Sequence, residues 1–344
     1  MTLRLIDPKE DPAWDERLLR SGDHSFFHSA GWARVLEEAY GFKPVYFARL
    51  EDGRLHFLMP MMEVSGVLRG RRGVSLPFSD RCAPFAEDPE SVLPAALEAI
   101  EHGKTRGWRS VEWRDDRYGP KGAPYWGTYL VHEIGLRKTE EALFRSLSPG
   151  NRRNVRKAVR EGVTVRIEQS PEAMRSFYRL NCMTRRRHGL PPQPYVFFKS
   201  ILEHVLSRDH GRIFAGYHSG RMIAASVFFD FGTEALFKYG ASEPDRRRLR
   251  PNNLIMWEAM KWYNRKDFLN LSLGRTEPAN PGLLRFKRTF GADERPLRYL
   301  RFDLVKGAYA AGRPRGRDPL RPFFSRIPSW VLRIIGRLFY RQFG

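Results

Sequence analysis

The sequence predicts a mixed α/β fold of the α+β class, made of two tandem copies of one unit and followed by a basic tail. Short apolar runs rich in aromatic and β-branched residues alternate with helical periodicities along the chain. The stretch FARLEDGRL at 47–55 returns as FAGYHSGRM at 214–222, so that Phe-Ala and Gly-Arg both recur 167 positions later. From Lys306 to the end, nine Lys or Arg residues stand against one Asp.

The composition is that of a folded chain with ordinary cores. Its 344 residues are enough for two domains, and 42% are hydrophobic and 13% aromatic. Cys82 and Cys182 lie far apart, so no disulfide framework is predicted. The charged first residues do not read as a signal segment, and no run of about 18 apolar residues occurs. These features predict a cytoplasmic protein.

The first copy is predicted to contain a capped helix, a hairpin, and then a second helix followed by a strand. Ser29 is expected to cap a helix whose apolar face includes Trp32 and Leu36. A hairpin follows, with VYFARL as one arm, the turn EDGR, and LHFLMPMMEV as the other arm. A helix over 91–107 and a strand over 108–116 complete the copy.

The second copy contains two basic stretches next to predicted helix starts. Pro149 is predicted to open a helix in which Arg152 and Arg156 share one face. A basic face of this kind binds a phosphate backbone or lipid headgroups, or it is simply solvated. Further on, the turn EPDRRRLRPNN precedes a helix that starts at Pro251. Arginine side chains beside helical N–H groups are suited to an anionic phosphate, although a solvated turn is the alternative.

Several of these segments resemble the FemAB-like branch of the GNAT acyltransferase superfamily. The resemblance is carried by LSPGNRRNVRKAVREGVTV, by MTRRRHGLPPQPYVFF, by the basic turn before PNN, and by LGR followed by GLLRFKRTFGA. It implies twin GNAT-like domains, each a mixed twisted sheet flanked by helices. We expect an N-terminal acceptor-side domain over 1–137, a C-terminal donor-side domain over 138–305, and a basic linker with an amphipathic helix over 306–344.

The resemblance also implies the site. Family members transfer an aminoacyl group from charged tRNA, or an acyl group from a carrier, to an amine. The FK pair of the family corresponds to Phe286 and Lys287, and Lys287 would support the transfer step or hold the donor's phosphate. The loop around Asp80 resembles an acceptor loop, where Asp80 would bind or deprotonate the amine or merely shape the turn. The other predicted residues are, for the donor, Arg246, Arg247, Arg248, Arg250, Asn252, Asn253, Arg275 and Arg288, and for acceptor or phosphate, Arg152, Arg156, Tyr239 and Tyr125.

The chemistry expected from these residues is direct acyl transfer. The chain has no nucleophile elbow, no GxxxxGK[ST] loop and no zinc spacing, so no metal site and no tightly bound cofactor are predicted. The donor would be aminoacyl-tRNA or a coenzyme A thioester. The turn RRRLRPNN lacks the glycines of the usual pyrophosphate loop, which favours the larger tRNA donor.

The C-terminal segment predicts a basic amphipathic helix over 327–343. Trp330, Ile334 and Leu338 would lie on one face, together with Val331, Ile335 and Phe339, and Arg333, Arg337 and Arg341 on the other. Such a helix binds an anionic membrane surface or packs on the protein body. The first alternative predicts a peripheral protein on the inner face of the membrane.

Three functions remain open at this point. The first is aminoacyl transfer from charged tRNA to an amine-bearing envelope or lipid-linked precursor. The second is an acyl-CoA-dependent or acyl-carrier-dependent N-acyltransferase that modifies polysaccharide or lipid. The third is an inactive GNAT-like module that binds RNA or a membrane, to which the net charge of +21 would also be suited.

Overall fold

The computed structural model describes residues 3–22, 24–312 and 321–342, and the chain divides into two compact units. The first unit contains Met1–Tyr129, Pro296–Gly316 and Arg337–Gly344, and the second contains Leu130–Arg295 and Arg317–Gly336. Part of the basic linker, residues 313–320, falls outside the described residues.

Strands and helices are interspersed along the described residues. Up to residue 113 the elements are β1 (Arg4–Ile6), α1 (Trp14–Ser21), α2 (Ala30–Tyr40), β2 (Lys43–Pro44), β3 (Tyr46–Glu51), β4 (Arg54–Met59), β5 (Met62–Gly66), β6 (Gly70–Val74), β7 (Phe85–Ala86), α3 (Val92–Thr105) and β8 (Ser110–Trp113). The next are β9 (Gly127–Gly135), α4 (Glu140–Ser146), α5 (Pro149–Arg160), β10 (Thr164–Glu168), α6 (Pro171–Arg187), α7 (Tyr195–His204), β11 (Gly211–His218), β12 (Arg221–Phe231), β13 (Glu234–Ser242), α8 (Pro251–Arg265), β14 (Asn270–Thr276) and α9 (Pro281–Arg288). The last are β15 (Asp293–Asp303), β16 (Ala308–Tyr309), α10 (Arg321–Arg326) and α11 (Ser329–Phe339).

The two predicted hairpins have the same kind of turn. Asp52 and Gly53 join β3 to β4 with φ angles of 49° and 74°, and Ser219 and Gly220 join β11 to β12 with φ angles of 50° and 73°. Two consecutive left-handed residues form the tight turn that matches the twist of paired strands. The prediction of a repeated hairpin is therefore confirmed.

The first unit contains two groups of paired strands. One has the order β1-β3-β4-β7, and the other β15-β8-β6-β5-β2, with β16 beside β15. The second arm of the first hairpin was predicted as one strand over 55–64, and this is wrong. β4 ends at Met59 and β5 begins at Met62 in the other group, because Pro60 between them has no N–H to donate to a ladder.

The second unit is built on one sheet with the order β10-β11-β12-β13-β14-β9. Its pairs are antiparallel except for β13 and β14, which run parallel and are joined by α8. Helix α8 packs its apolar side on β11 and β12, where Phe214, Phe228 and Tyr263 form a buried aromatic cluster. The corresponding core of the first unit is built around Phe57, Trp108 and Trp113, which α3 covers with its alanines.

Capping residues fix the helix boundaries. The Ser29 side chain accepts a hydrogen bond from the Trp32 amide at the start of α2, and Ser148 does the same for Asn151 at the start of α5. Helix α8 begins at Pro251, as predicted. Gly162 follows the end of α5 with a φ angle of 75°, a conformation that glycine adopts without steric cost.

Candidate active site

The parallel strands of the second unit separate along their length. β13 pairs with β14 at three positions, Glu234–Leu236 against Asn270–Ser272, after which β13 continues to Ser242 and β14 to Thr276. Lys238 is an extra residue in β13, because Val227 pairs with Tyr239 whereas Phe228 pairs with Phe237. A bulge of this kind bends a strand away from its partner. The two diverging strand ends therefore flank an opening in the sheet.

The basic turn and the start of α8 follow the diverging end of β13. Arg250, immediately before Pro251, has a φ angle of 59°, which is strained for a residue with a side chain. The Asn253 side chain donates to Asn151 of α5 at 2.8 Å, and Asn151 donates to the Thr289 carbonyl at 3.1 Å. Asn151 therefore connects helix α5 both to the start of α8 and to the end of α9.

A cavity of about 400 Å³ lies beside the basic turn. It is lined by Met183, Arg221, Glu243, Asp245, Arg246 and Arg248. Glu243 is buried and forms ion pairs with Arg221 and, at 3.2 Å, with Arg179. The cavity thus presents arginine side chains with carboxylates between them. Arg246 and Arg248 were predicted from the sequence as donor ligands.

Arg187, at the end of α6, adds a further positive charge near this turn. Burial, followed by the nearby charge of Arg247, lowers the pKa of Arg187. Its Nη1 atom is buried and has no hydrogen-bond partner among the described residues. Two close guanidinium groups, one of them incompletely paired, are an arrangement that an anion would stabilise.

Lys287 is buried at the diverging end of β14. Its Nζ atom donates to the carbonyls of Gly274 at 2.7 Å and Arg275 at 3.1 Å, and the side chain is 2% exposed. Leu273 and Gly274 form a bulge in β14, because these two residues together stand opposite a single residue of β9, His132. Gly274 has a φ angle of 70°. The bulge turns these carbonyls toward α9, which fixes the ammonium group in place.

His132 was not identified from the sequence, although it stands opposite this bulge. It is fully buried, and its Nε2 atom lies 3.0 Å from Glu294. Burial and then the charge of Lys287 lower its pKa, so the imidazole is neutral near pH 7. Glu294 also accepts from Arg288 at 2.8 and 3.0 Å, and the predicted donor ligand Arg288 is therefore occupied by an ion pair.

The remaining predicted residues of the second unit are spread over several elements. Phe286 packs on the core and lies edge-on to Phe290. Asn252 donates to the Ser242 hydroxyl at 3.4 Å and has a buried carbonyl oxygen without a partner among the described residues. Arg152 is half-buried on α5, Arg156 stacks over Phe144, and Tyr239 packs against Phe198.

Asp80 and Tyr125, two of the residues predicted on the acceptor side, belong to the first unit. The Asp80 carbonyl accepts a hydrogen bond from the Tyr299 hydroxyl. Asp80 ends a loop in which Leu76 and Phe78 have φ angles of 50° and 60°, and strained backbone of this kind is concentrated at functional loops. Tyr125 is half exposed under the Arg298 guanidinium, 4.8 Å from its ring centre.

Residues 149–288 match the family model described as an acetyltransferase (GNAT) domain. The second unit carries a GNAT domain. The fold is similar to that of FemX, with a TM-score of 0.69 and 14% identity over 87% of this chain and 97% of the FemX chain. It is also similar to L-PGS from Bacillus licheniformis, with a TM-score of 0.56 and 15% identity over 97% of this chain and 99% of that one.

A tandem GNAT protein from the clavulanic acid biosynthesis pathway is a further structural relative. It has a TM-score of 0.56 and 10% identity over 88% of this chain and 98% of its own. No curated protein matches the sequence. The resemblance to the FemAB-like branch and the mixed α/β fold with two GNAT-like copies are confirmed at the level of the fold. The domain class identifies the chain as an acyltransferase.

Among the described residues, no helix is both long and apolar enough to cross a membrane.

Proposed function

We propose that this chain transfers an aminoacyl group from charged tRNA to the amine of an envelope or lipid-linked precursor. The observation that carries the proposal is the opening between β13 and β14, with arginines after one strand end and the buried Lys287 at the other. A donor needs its phosphates held and its carbonyl placed near positive charge. Both requirements have candidates in this one domain.

The proposed step is direct attack on the donor. The neutral amine attacks the ester carbonyl, an N–C bond forms and the C–O bond to the tRNA ribose breaks. The departing ribose oxygen takes the proton that the amine loses and becomes a hydroxyl. Lys287 contributes a fixed positive charge while the carbonyl oxygen becomes negative. Arg246, Arg247, Arg248 and Arg250 hold donor phosphates.

Two observations favour tRNA as the donor. The turn between β13 and α8 places arginines where an ordinary pyrophosphate loop has glycines, and Arg250 holds the backbone in a glycine-like conformation. Helix α5 exposes Arg153, Arg156 and Arg160 on its outer side, which suits a long phosphate backbone. A coenzyme A thioester is the second candidate donor, because the matching family model is that of an acetyltransferase domain.

The transfer can be measured without knowing the acceptor. The protein is incubated with a lipid-extractable envelope precursor fraction and with tRNA charged with labelled amino acids, or with labelled acetyl-coenzyme A. Treatment with mild base removes label still held as an ester or thioester and leaves amide-bound label. We expect base-resistant label from charged tRNA, and Lys287→Met should lower its rate of formation about a hundredfold.

Controls separate chemistry from folding. Arg265→Ala removes an exposed ion pair with Glu140 away from the opening and should retain the full rate. Donor affinity and melting temperature are measured for Lys287→Met, since its loss leaves two carbonyls without their donor. Unchanged turnover in a folded Lys287→Met protein would contradict the proposed role. Binding of tRNA without any transfer would support the inactive-module alternative instead.

We also propose that the segment 327–343 binds an anionic membrane surface, so that the enzyme acts as a peripheral protein on the inner face of the membrane. The predicted faces of α11 are partly wrong. Leu332 and Gly336 form the buried line, and Gly336 lies against the Pro192 carbonyl. Trp330, Ile334 and Leu338 are 55–68% exposed beside the row of Arg333, Arg337 and Arg341. Apolar and basic rows side by side suit a lipid headgroup interface.

A further inference from the structure

The tip of the hairpin formed by β5 and β6 exposes two neighbouring aliphatic side chains. Val67 is 95% exposed and Leu68 is 75% exposed. Isolated apolar side chains at a surface are common, but adjacent ones at a protruding turn are typical of an interaction surface. Arg69 and Arg71 follow them and are also exposed.

This hairpin tip is fixed to the last residues of the C-terminal segment, within the first unit. The Gln342 side-chain oxygen accepts a hydrogen bond from the Leu68 amide at 3.1 Å, and Arg72 donates to the Gln342 carbonyl at 2.8 Å. The same Gln342 oxygen lies close to Gly66, since a Cβ atom at this residue would be 2.5 Å from it and the Gln342 side chain would have to move. The hairpin tip and the end of α11 therefore form one connected edge.

The end of α11 presents the same chemistry. Leu338 is 68% exposed and Phe339 is 40% exposed, and Arg337 and Arg341 beside them are exposed as well. Neither 66–73 nor 337–342 contains an acidic residue. Exposed aliphatic and aromatic side chains in segments whose charged residues are all arginines are complementary to a bilayer surface that is apolar inside and negatively charged at its headgroups.

We propose that the Val67–Leu68 tip is a second lipid-inserting element, which enters an anionic bilayer beside the C-terminal helix. The inference rests on the membrane contact proposed above for 327–343. Two anchors with arginines at their bases bind a surface more tightly than either alone, and they fix the orientation of the first unit on the membrane. Nothing in the sequence of the hairpin suggests this role, because GVLRGRRG is too short for an amphipathic pattern.

Vesicle sedimentation of the full chain tests the proposal. Vesicles contain either phosphatidylcholine alone or phosphatidylcholine mixed with phosphatidylglycerol. Three variants are compared with the unaltered protein. The first is Val67→Ser with Leu68→Ser, the second is Ile334→Ser with Leu338→Ser, and the third is Val305→Ser. The third is a matched control, since Val305 is an aliphatic residue in the same unit that is 80% exposed at another turn.

We expect binding to the mixed vesicles only, and a partition coefficient about tenfold lower for the hairpin variant than for the Val305→Ser control. All substituted side chains are exposed, so each variant should keep its melting temperature. Equal binding by the hairpin variant and the control, with loss in the helix variant, would overturn the inference and leave the helix contact intact. Absence of binding by the unaltered protein, or binding of RNA alone, would overturn both.

Discussion

A charged side chain is stable inside a protein only when hydrogen bonds replace its water, and Lys287 meets this condition. Its ammonium group is held by the Gly274 and Arg275 carbonyls at the bulge of β14. Peptide carbonyls thus replace the water of the buried ammonium group, whereas the neighbouring Arg288 is exposed and forms an ion pair with Glu294. Of these two residues, Lys287 is therefore the one that is held at a fixed position beside the end of β14.

His28 gives the clearest prediction at the level of a single residue. It is fully buried, and burial followed by the charge of His24 lowers its pKa from 6.5 to about 3. The folded state therefore binds this proton more weakly than the unfolded state. The stabilisation is fully present above pH 6.5 and is lost progressively as the pH falls toward 3. Between pH 7 and pH 5 the free energy of unfolding should fall by about 2 kcal/mol from this group.

Denaturant unfolding at the two pH values measures this loss. His28→Gln, which cannot titrate, should lose about 2 kcal/mol less than the unaltered protein over the same interval. His132, whose pKa is also lowered, remains in both proteins and does not affect the difference. Identical pH dependence in the two proteins would show that His28 is not held neutral by the fold.

At the level of the elements, the packing of α11 depends on one small residue. Helix α11 turns Gly336 toward the carbonyl of Pro192, in the proline-rich segment between α6 and α7. A Cβ atom at Gly336 would lie 1.9 Å from that oxygen, which is far too close. The same helix exposes Trp330 and Ile334 on its other side. The protein body thus accounts for one side of α11, and the exposed side is the one that we assign to lipid.

Two glycine substitutions test this packing with opposite expected signs. Helix propensity alone predicts that replacing a helical glycine by alanine stabilises a protein by up to about 1 kcal/mol. Gly150→Ala in α5 should follow this rule, because the nearest atom, at 3.9 Å, is the end of the flexible Arg153 side chain. Gly336→Ala should instead lower the free energy of unfolding by about 1–3 kcal/mol. Stabilisation by both, measured by denaturant unfolding, would contradict the docking of α11.

At the level of the whole molecule, the net charge of +21 is explained by two proposed binding partners, the donor and the membrane. A strongly positive protein attracts polyanions and anionic surfaces over long distances. Helix α5 and the turn after β13 expose arginines in the second unit, and the end of α11 exposes them in the first. The former group is assigned to the donor and the latter to the membrane, and raising the salt concentration should weaken both interactions.

Local signals in the sequence predicted local structure well. The Asp-Gly turn of the first hairpin, the cap at Ser29 and the proline at the start of α8 are each determined by a few neighbouring residues, and all are found where expected. The basic turn was likewise visible, because its arginines are consecutive. The strand predicted over 55–64 was wrong because its two halves, on either side of Pro60, pair with different groups of strands. Such pairing depends on partners far away in the chain.

The parts of the site that were missed depend on such distant partners. His132 faces the bulge of β14 about 140 residues later in the chain, and no local pattern around it indicates that pairing. Glu243 and Arg221 line the cavity because β12 and β13 are adjacent at those positions and α6 crosses them. The sequence shows only that the acid Glu243 follows a predicted strand, and the structure adds that it is buried and paired with Arg179 and Arg221.

The binding site of the donor can be tested by amide hydrogen exchange of the full chain, with and without charged tRNA and with and without acetyl-coenzyme A. The proposal places the donor between the diverging ends of β13 and β14. Exchange should therefore slow in 237–242 and 273–276, and in the turn 246–253, when the true donor is added. Charged tRNA should produce this protection. Slowing confined to other segments, with these three unchanged by either donor, would show that the donor does not bind between β13 and β14.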